Sequence, residues 1–153
     1  MKSRTRRLVV PARRTEAEDL LITDVGDELV VYDSRSHQAH TLNRTATCIW
    51  NACDGQRTVA DITRVVSQEL SSLVDERVVW HTLQDLSEKE LLSGPLPSGW
   101  LGAPLTRREM VQLGGIAAIP VIASILVPAA DAQTSGTTTT NDSGAGPTEA
   151  GGA

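Results

Sequence analysis

Only about half of this 153-residue chain has the alternation of apolar and polar side chains that a packed domain needs. That pattern is confined to residues 15–93. Residues 133–153 consist mainly of Thr, Gly, Ser and Ala. They cannot bury enough apolar surface to offset the entropy lost on ordering, so we predict a disordered tail there. The uncharged, Pro- and Gly-rich residues 94–105 predict a linker. The sequence therefore predicts one small domain with flanking segments.

Charge is distributed unevenly along the chain. Residues 1–14 carry six Lys and Arg and no acid, which predicts a basic flexible arm that is solvated, touches phosphates or contacts an acidic partner. Residues 15–93 carry 15 acids and six bases, a net charge of −9. A nucleic-acid-binding domain needs a basic face to neutralise phosphates. We therefore expect no nucleic acid as a partner.

Few residues are suited to cofactor or metal chemistry. Aromatic residues make up 3% of the chain, which disfavours a large aromatic-lined cofactor cavity. The two cysteines, Cys48 and Cys53, lack the companion pair of a zinc site and are too few for a disulfide scaffold. We expect Cys53 in the core and Cys48 semi-buried. No nucleophile–base pair, phosphate-binding loop or paired-carboxylate motif is recognisable, so we expect neither an enzyme nor a cofactor.

The first part of the domain predicts a small antiparallel meander. Residues 20–23 are β-prone and residues 29–33 are rich in Val and Tyr, which favour strands, and residues 37–42 are the predicted third strand. Gly26-Asp27 and residues 33–36 supply the turns. In the third strand Gln38, His40 and Leu42 share one face, because side chains alternate along a strand.

Three helices follow the predicted strands. Asn43 or Thr45 can cap the first helix, Thr58 and Asp61 have the spacing of a capping box, and Asp75 opens the third helix. The apolar faces recur at helical spacing and comprise Ala46, Ile49, Trp50 and Cys53, then Val59, Ile62, Val66 and Leu70, then Val79, Leu83 and Leu86, with Leu91 and Leu92 closing the domain. A three-stranded antiparallel sheet followed by three helices is an α+β fold, and the short Gly-containing turn suggests a helix-turn-helix arrangement.

Several motifs occur in the order typical of one family. They are TLN at residues 41–43, IW at 49–50, DG at 54–55, TVADI at 58–62 and VVWHTLQDLSEKELL at 78–92. With these motifs, residues 15–93 resemble the PqqD family, the peptide chaperones of pyrroloquinoline quinone (PQQ) biosynthesis and their relatives. The resemblance implies a winged helix-turn-helix fold with an N-terminal three-stranded sheet.

The resemblance also implies a function. PqqD-like proteins are recognition elements that hold the leader of a ribosomally synthesised precursor peptide, while a modifying enzyme, often a radical SAM protein, acts on the rest. An uncovered strand edge can accept such a peptide as an additional strand. The resemblance places the groove between the third strand and the third helix. The candidate peptide-binding residues are Gln38, Ala39, His40 and Thr41 on the strand, and Arg77, Trp80, His81 and Gln84 on the helix.

Two other functions remain open from the sequence alone. One is a winged-helix DNA-binding regulator, which the helix-turn-helix order favours and the net charge of the domain disfavours. The other is a membrane-tethered structural adaptor with no peptide client. A homodimer is compatible with either function and with peptide binding.

The segment at residues 106–132 resembles a twin-arginine export signal. Arg107 and Arg108 stand in a TRREMV sequence, and the 18 apolar residues at 113–130 follow. At about 1.5 Å per residue this run is long enough to span a bilayer as a helix. We therefore predict a tail anchor that holds a cytoplasmic domain at the inner face of the membrane.

Three alternatives for this segment stay open. It packs as a helix on the domain or on a dimer partner, or it is cleaved after Ala132, which ends a small-x-small sequence. The third alternative is that residues 106–153 are a fused, precursor-like peptide bound by the preceding domain.

Overall fold

The computed structural model describes residues 8–15, 19–98, 106, 108–109, 112 and 119–128. Within them one four-stranded antiparallel sheet, in the order β1-β2-β3-β4, packs against three helices, an α+β fold. The elements in chain order are β1 (Leu20–Val25), β2 (Glu28–Asp33), β3 (Gln38–Leu42), α1 (Arg44–Ala52), α2 (Val59–Glu69), α3 (Glu76–Glu88) and β4 (Ile122–Leu126). The arrangement of the helices as a winged helix-turn-helix remains a prediction.

The predicted meander is confirmed, with small changes at the strand ends. β1 and β2 form a hairpin in which Leu20 pairs with Asp33 and Val25 with Glu28. Gly26 supplies the positive φ, +64°, that a two-residue turn needs. β3 begins one residue later than predicted, because His37 has a φ of +54° and ends the preceding turn.

A fourth strand extends the predicted three-stranded sheet. β4 pairs antiparallel with β3, from Gln38 opposite Leu126 to Leu42 opposite Ile122. The predicted membrane helix over residues 113–130 is therefore wrong at residues 122–126, which are extended. This part of the apolar segment packs on the domain, as one alternative had it, but as a strand and not as a helix.

The other predictions for the C-terminal region concern a membrane span and a twin-arginine-like motif. No helix in the described part of the chain is long and apolar enough to cross a membrane. Arg108 is exposed, whereas Arg107 of the twin-arginine-like motif lies outside the described residues, as do residues 99–105 of the predicted linker and all of the predicted tail.

The helices follow the predicted caps and faces. Asn43, rather than Thr45, caps α1, and its side chain accepts a hydrogen bond from the backbone N–H of Ala46. The predicted capping box of α2 is present, with Thr58 and Asp61 bonded reciprocally. Asp75 caps α3. The core between the helices and the sheet includes Val31, Leu42, Ile49, Trp50, Ile62, Val66, Val79, Leu83 and Leu86, none of which has accessible surface.

The N-terminal residues 8–14 differ from the predicted flexible arm. They bond through their backbone to residues that follow α1 and α3. The backbone N–H of Val10 donates to the carbonyl of Arg57, and that of Arg14 donates to the carbonyl of Leu91. Val10 is buried in the core, and the Arg13 guanidinium lies 5.0 Å from the centre of the Trp50 ring. The Arg14 side chain is buried as well and pairs with Asp33 at 2.7 Å. The packing of this segment on the domain could not be predicted from its basic composition.

Candidate peptide-binding edge

The third strand presents different side chains on its two faces. His40 and Leu42 point toward the helices and have no accessible surface, as the alternation predicts, and Gln38 on the same face is half-buried. Ala39 and Thr41 lie on the outer face and are half-buried. One side of β3 pairs with β2, so only its other side can take a further strand.

That other side is occupied by the segment at residues 119–127. The N–H of Asn43 donates to the carbonyl of Val121 at 3.1 Å, and the N–H of Val127 donates to the carbonyl of His37 at 2.9 Å. Hydrogen-bonded pairs alternate along an antiparallel ladder. Ala123 and Ile125 are therefore the β4 residues whose N–H groups face β3. The N–H groups of Ile122, Ser124 and Leu126 point away.

Asn43 joins the edge strand to the first helix. Its side-chain oxygen caps α1 and also accepts a hydrogen bond from the N–H of Val121 at 3.0 Å. Its side-chain nitrogen donates to the carbonyl of Ile119 at 2.8 Å. The capping role of Asn43 was predicted from the sequence, but its bonds to residues 119–121 were not. The signal was the position of a bifunctional amide directly after the edge strand.

His40 connects the buried face of β3 with β4. Its Nδ1 lies 2.8 Å from the hydroxyl of Ser124, and Nε2 has no hydrogen-bond partner among the described residues. Burial lowers the pKa of His40 below its ordinary value of 6.5, and the charge of Lys89 lowers it further, while Asp33 opposes the shift. The ring is therefore neutral at neutral pH and can bond with a hydroxyl group.

The lowered pKa of His40 predicts a pH dependence of stability. The unfolded chain takes up a proton near pH 6.5, whereas the buried ring resists it. The contribution of His40 is thus complete above about pH 6.5 and is lost as the pH falls from there through the lower native pKa. We would measure the free energy of unfolding in urea at pH 7.5 and at pH 5.5. We expect the decrease between these two pH values to be larger in the wild type than in His40→Gln. The same loss in both proteins would contradict this assignment.

The helix candidates share the face of α3 that points away from the core. Arg77 pairs with Asp75 at 3.2 Å, His81 lies 3.4 Å from the Asp85 carboxylate, and Gln84 is exposed. Trp80 is half-buried and packs against the edge of the core. Their role in binding a peptide remains a prediction.

Charged groups at both ends of α3 act on the edge strand and on the C-terminal segment. The charge of Lys89, the C-cap of α3, acts on His40. At the other end, hydrogen bonds from Thr106 and the charge of Arg77 lower the pKa of the Glu109 carboxyl. Glu109 thus lies within electrostatic range of Arg77 at the start of α3.

The described residues offer little else for chemistry. Among them, no group of three or more His, Cys, Asp or Glu could hold a metal ion. Both cysteines are free and buried, Cys48 more completely than predicted. Burial raises the pKa of the Cys48 thiol to about 11 and that of the Cys53 thiol to about 12, so neither is a thiolate at neutral pH.

Comparison with known proteins supplies one match. Residues 28–92 match the family model described as Coenzyme PQQ synthesis protein D (PqqD). The match begins at the first residue of β2 and ends at Leu92, so it includes β3 and all three helices and excludes β1 and β4. No curated protein and no solved structure matches the chain.

Proposed function

Residues 28–92 of this chain belong to the PqqD family, and we propose that they form a peptide-binding module that holds the leader of a precursor peptide. Family membership indicates an accessory role related to PQQ synthesis. In the proposed mechanism this chain performs no chemistry. It adds the leader as a strand to β3 and presents the rest of the peptide to a modifying enzyme, which we expect to be a radical SAM maturase.

One observation carries this proposal: β3 accepts an extended segment as an antiparallel strand along its whole length. Backbone hydrogen bonds make such an edge tolerant of sequence, and side chains that alternate between the two faces allow selection. The buried face of β3 offers Leu42 for an apolar side chain and His40 for a hydroxyl. The proposed strand contacts are the predicted residues Gln38, Ala39, His40 and Thr41.

The third helix is the proposed second wall of the groove. Arg77, Trp80, His81 and Gln84 are the side chains that we propose to contact the leader. Arg77 and Gln84 are suited to polar groups of the peptide, because one is a cation and the other is a solvent-exposed amide. A homodimer and anchoring to a membrane form no part of this proposal.

An NMR titration tests the proposal. We expect a synthetic leader of a precursor peptide encoded beside this gene to bind the ¹⁵N-labelled full chain saturably. The largest shift changes should lie at residues 37–43, because backbone amides respond to new hydrogen bonds. A scrambled leader of the same composition is the control. Shift changes restricted to the chain termini or to β1 would refute the assignment of the edge.

A further inference from the structure

The segment paired with β3 is held mainly by its backbone. Of the β4 side chains, Ile122 packs partly against the core and Ser124 bonds with His40. Ile125 and Leu126 are 65% and 74% exposed. Their burial therefore contributes little to docking.

This segment is nevertheless held in one register along β3. Asn43 makes three hydrogen bonds to the backbone of residues 119–121. Those bonds fix which residue lies opposite Leu42 and which lies opposite His40. A shift by one residue would turn Ile122 and Ser124 to the outer face. The edge thus holds one defined sequence of its own chain.

From these two features we propose that residues 119–127 are a ligand in cis that occupies the peptide-binding edge, so that a client peptide binds only by displacing them. The inference rests on the proposed function and adds its regulation. A segment in the same chain competes at an effective concentration that can reach the millimolar range. Few side-chain contacts oppose its release, because it is bound mainly through its backbone.

The bound segment also defines the class of peptide that displaces it. Such a peptide is extended, with an aliphatic side chain opposite Leu42 and, two residues later, a small hydroxyl residue opposite His40, as Ile122 and Ser124 are. The one residue between them faces outward and is free to vary. A neutral His40 bonds with the hydroxyl, whereas a residue without a hydroxyl group at that position leaves the buried Nδ1 without this partner.

Two proline variants of the full chain provide a matched test. Ile125→Pro removes an N–H that faces β3, and Leu126→Pro removes one that points away. Both side chains are largely exposed, so neither change disturbs the core. The probe is a fluorescent synthetic peptide with the sequence of residues 119–128 and two added lysines for solubility. Its affinity is measured by fluorescence anisotropy.

We expect Ile125→Pro to bind the probe at least about tenfold more tightly than the wild type and Leu126→Pro to resemble the wild type. A probe with Ser124→Ala, which lacks the hydroxyl, should bind Ile125→Pro more weakly than the original probe. Equal affinity in the wild type and in Ile125→Pro would overturn the inference and leave the proposed function intact. Absence of binding by all three proteins would overturn the proposed strand addition, and the inference with it.

Amide hydrogen exchange gives an independent readout in the unaltered chain. The N–H groups of Ala123 and Ile125 should be protected, while those of Ser124 and Leu126 should exchange faster. Addition of excess probe peptide should exchange one bound segment for the other and remove the protection of Ala123 and Ile125. Fast exchange at both residues without peptide would overturn the inference, whatever the variants show.

Discussion

Trp50→Ala is expected to lower the free energy of unfolding by about 3–5 kcal/mol, the range found when a buried tryptophan or phenylalanine is truncated. Trp50 has no accessible surface, and its indole N–H donates to the carbonyl of Leu91 at 3.0 Å. The variant leaves a cavity at the centre of the domain and removes one of the two hydrogen bonds that the Leu91 carbonyl accepts, the other coming from the backbone N–H of Arg14. Since folded domains have a total stability of about 5–15 kcal/mol, this loss is a large fraction of the total.

Urea unfolding followed by circular dichroism measures this loss. Trp80→Ala is the matched control, because Trp80 is the same residue type but only half-buried at the edge of the core. It should lose less than half as much stability. Equal losses in the two variants would contradict the placement of Trp50 at the centre of the core.

Arg14→Ala is expected to have a similarly large effect, about 3–5 kcal/mol, because it leaves one partner of a buried ion pair alone. Arg14 and Asp33 are 4% and 1% exposed, and their side chains meet at 2.7 Å. Arg14 also donates to the carbonyl of Glu90 at 2.8 Å. The pair thus joins the N-terminal segment, the end of β2 and the residues after α3.

The pH dependence of the stability of Arg14→Ala shows whether the unpaired Asp33 carboxylate causes the loss. Burial alone would raise the pKa of Asp33, but hydrogen bonds from Arg14 and Arg35 and their charges leave it below its ordinary value. In the wild type the contribution of Asp33 is therefore present above about pH 3.8 and is lost below it. Without Arg14 the burial effect dominates, so the variant should lose stability as the pH rises above 3.8.

The matched control for this variant is Arg35→Ala. The exposed pair of Arg35 with Asp19, at 3.7 Å, should contribute less than about 1 kcal/mol. The backbone N–H of Arg35, which bonds with Asp33, is retained in that control. If the difference in the free energy of unfolding between Arg14→Ala and the wild type were the same at pH 3 and pH 6, the role of the buried Asp33 carboxylate would be contradicted.

The helices and the first three strands could be predicted because their signals are local. The cap at Asn43 and the capping box of Thr58 and Asp61 mark helix starts within four residues. The spacing of apolar residues identifies the buried face of each helix. The alternation in β3 placed His40 and Leu42 on the same face, as the structure does.

The fourth strand could not be predicted because its partner is distant in sequence. The run IASIL at residues 122–126 is apolar and short, and such a run favours a helix or a strand equally well until a partner is known. Its partner, β3, lies about 80 residues earlier in the chain. The burial of Arg14 was missed for the same reason, since it depends on Asp33 in a strand that the sequence does not mark as its neighbour.

The peptide-binding role of the candidate residues stays a prediction, whereas the strand that lies beside β3 was not predicted. The strand residues 38–41 pair with β4, and Asn43 and Ser124 make contacts across this pairing that no motif indicated. Of the alternatives for the C-terminal segment, the structure shows that residues 122–126 pack on the domain, as a strand. The contacts proposed for α3 still depend on the resemblance alone.

The most direct test of the central claim is an NMR measurement of which strand a bound peptide pairs with. We would mix the ¹³C-labelled full chain carrying Ile125→Pro with the unlabelled probe peptide of residues 119–128 and record isotope-filtered NOEs. Non-hydrogen-bonded pairs bring their Cα atoms to about 4.5 Å. We predict an Hα–Hα NOE between His40 and the serine of the peptide. NOEs to β1, the opposite edge of the sheet, without any to His40 would contradict the claim that β3 binds the client.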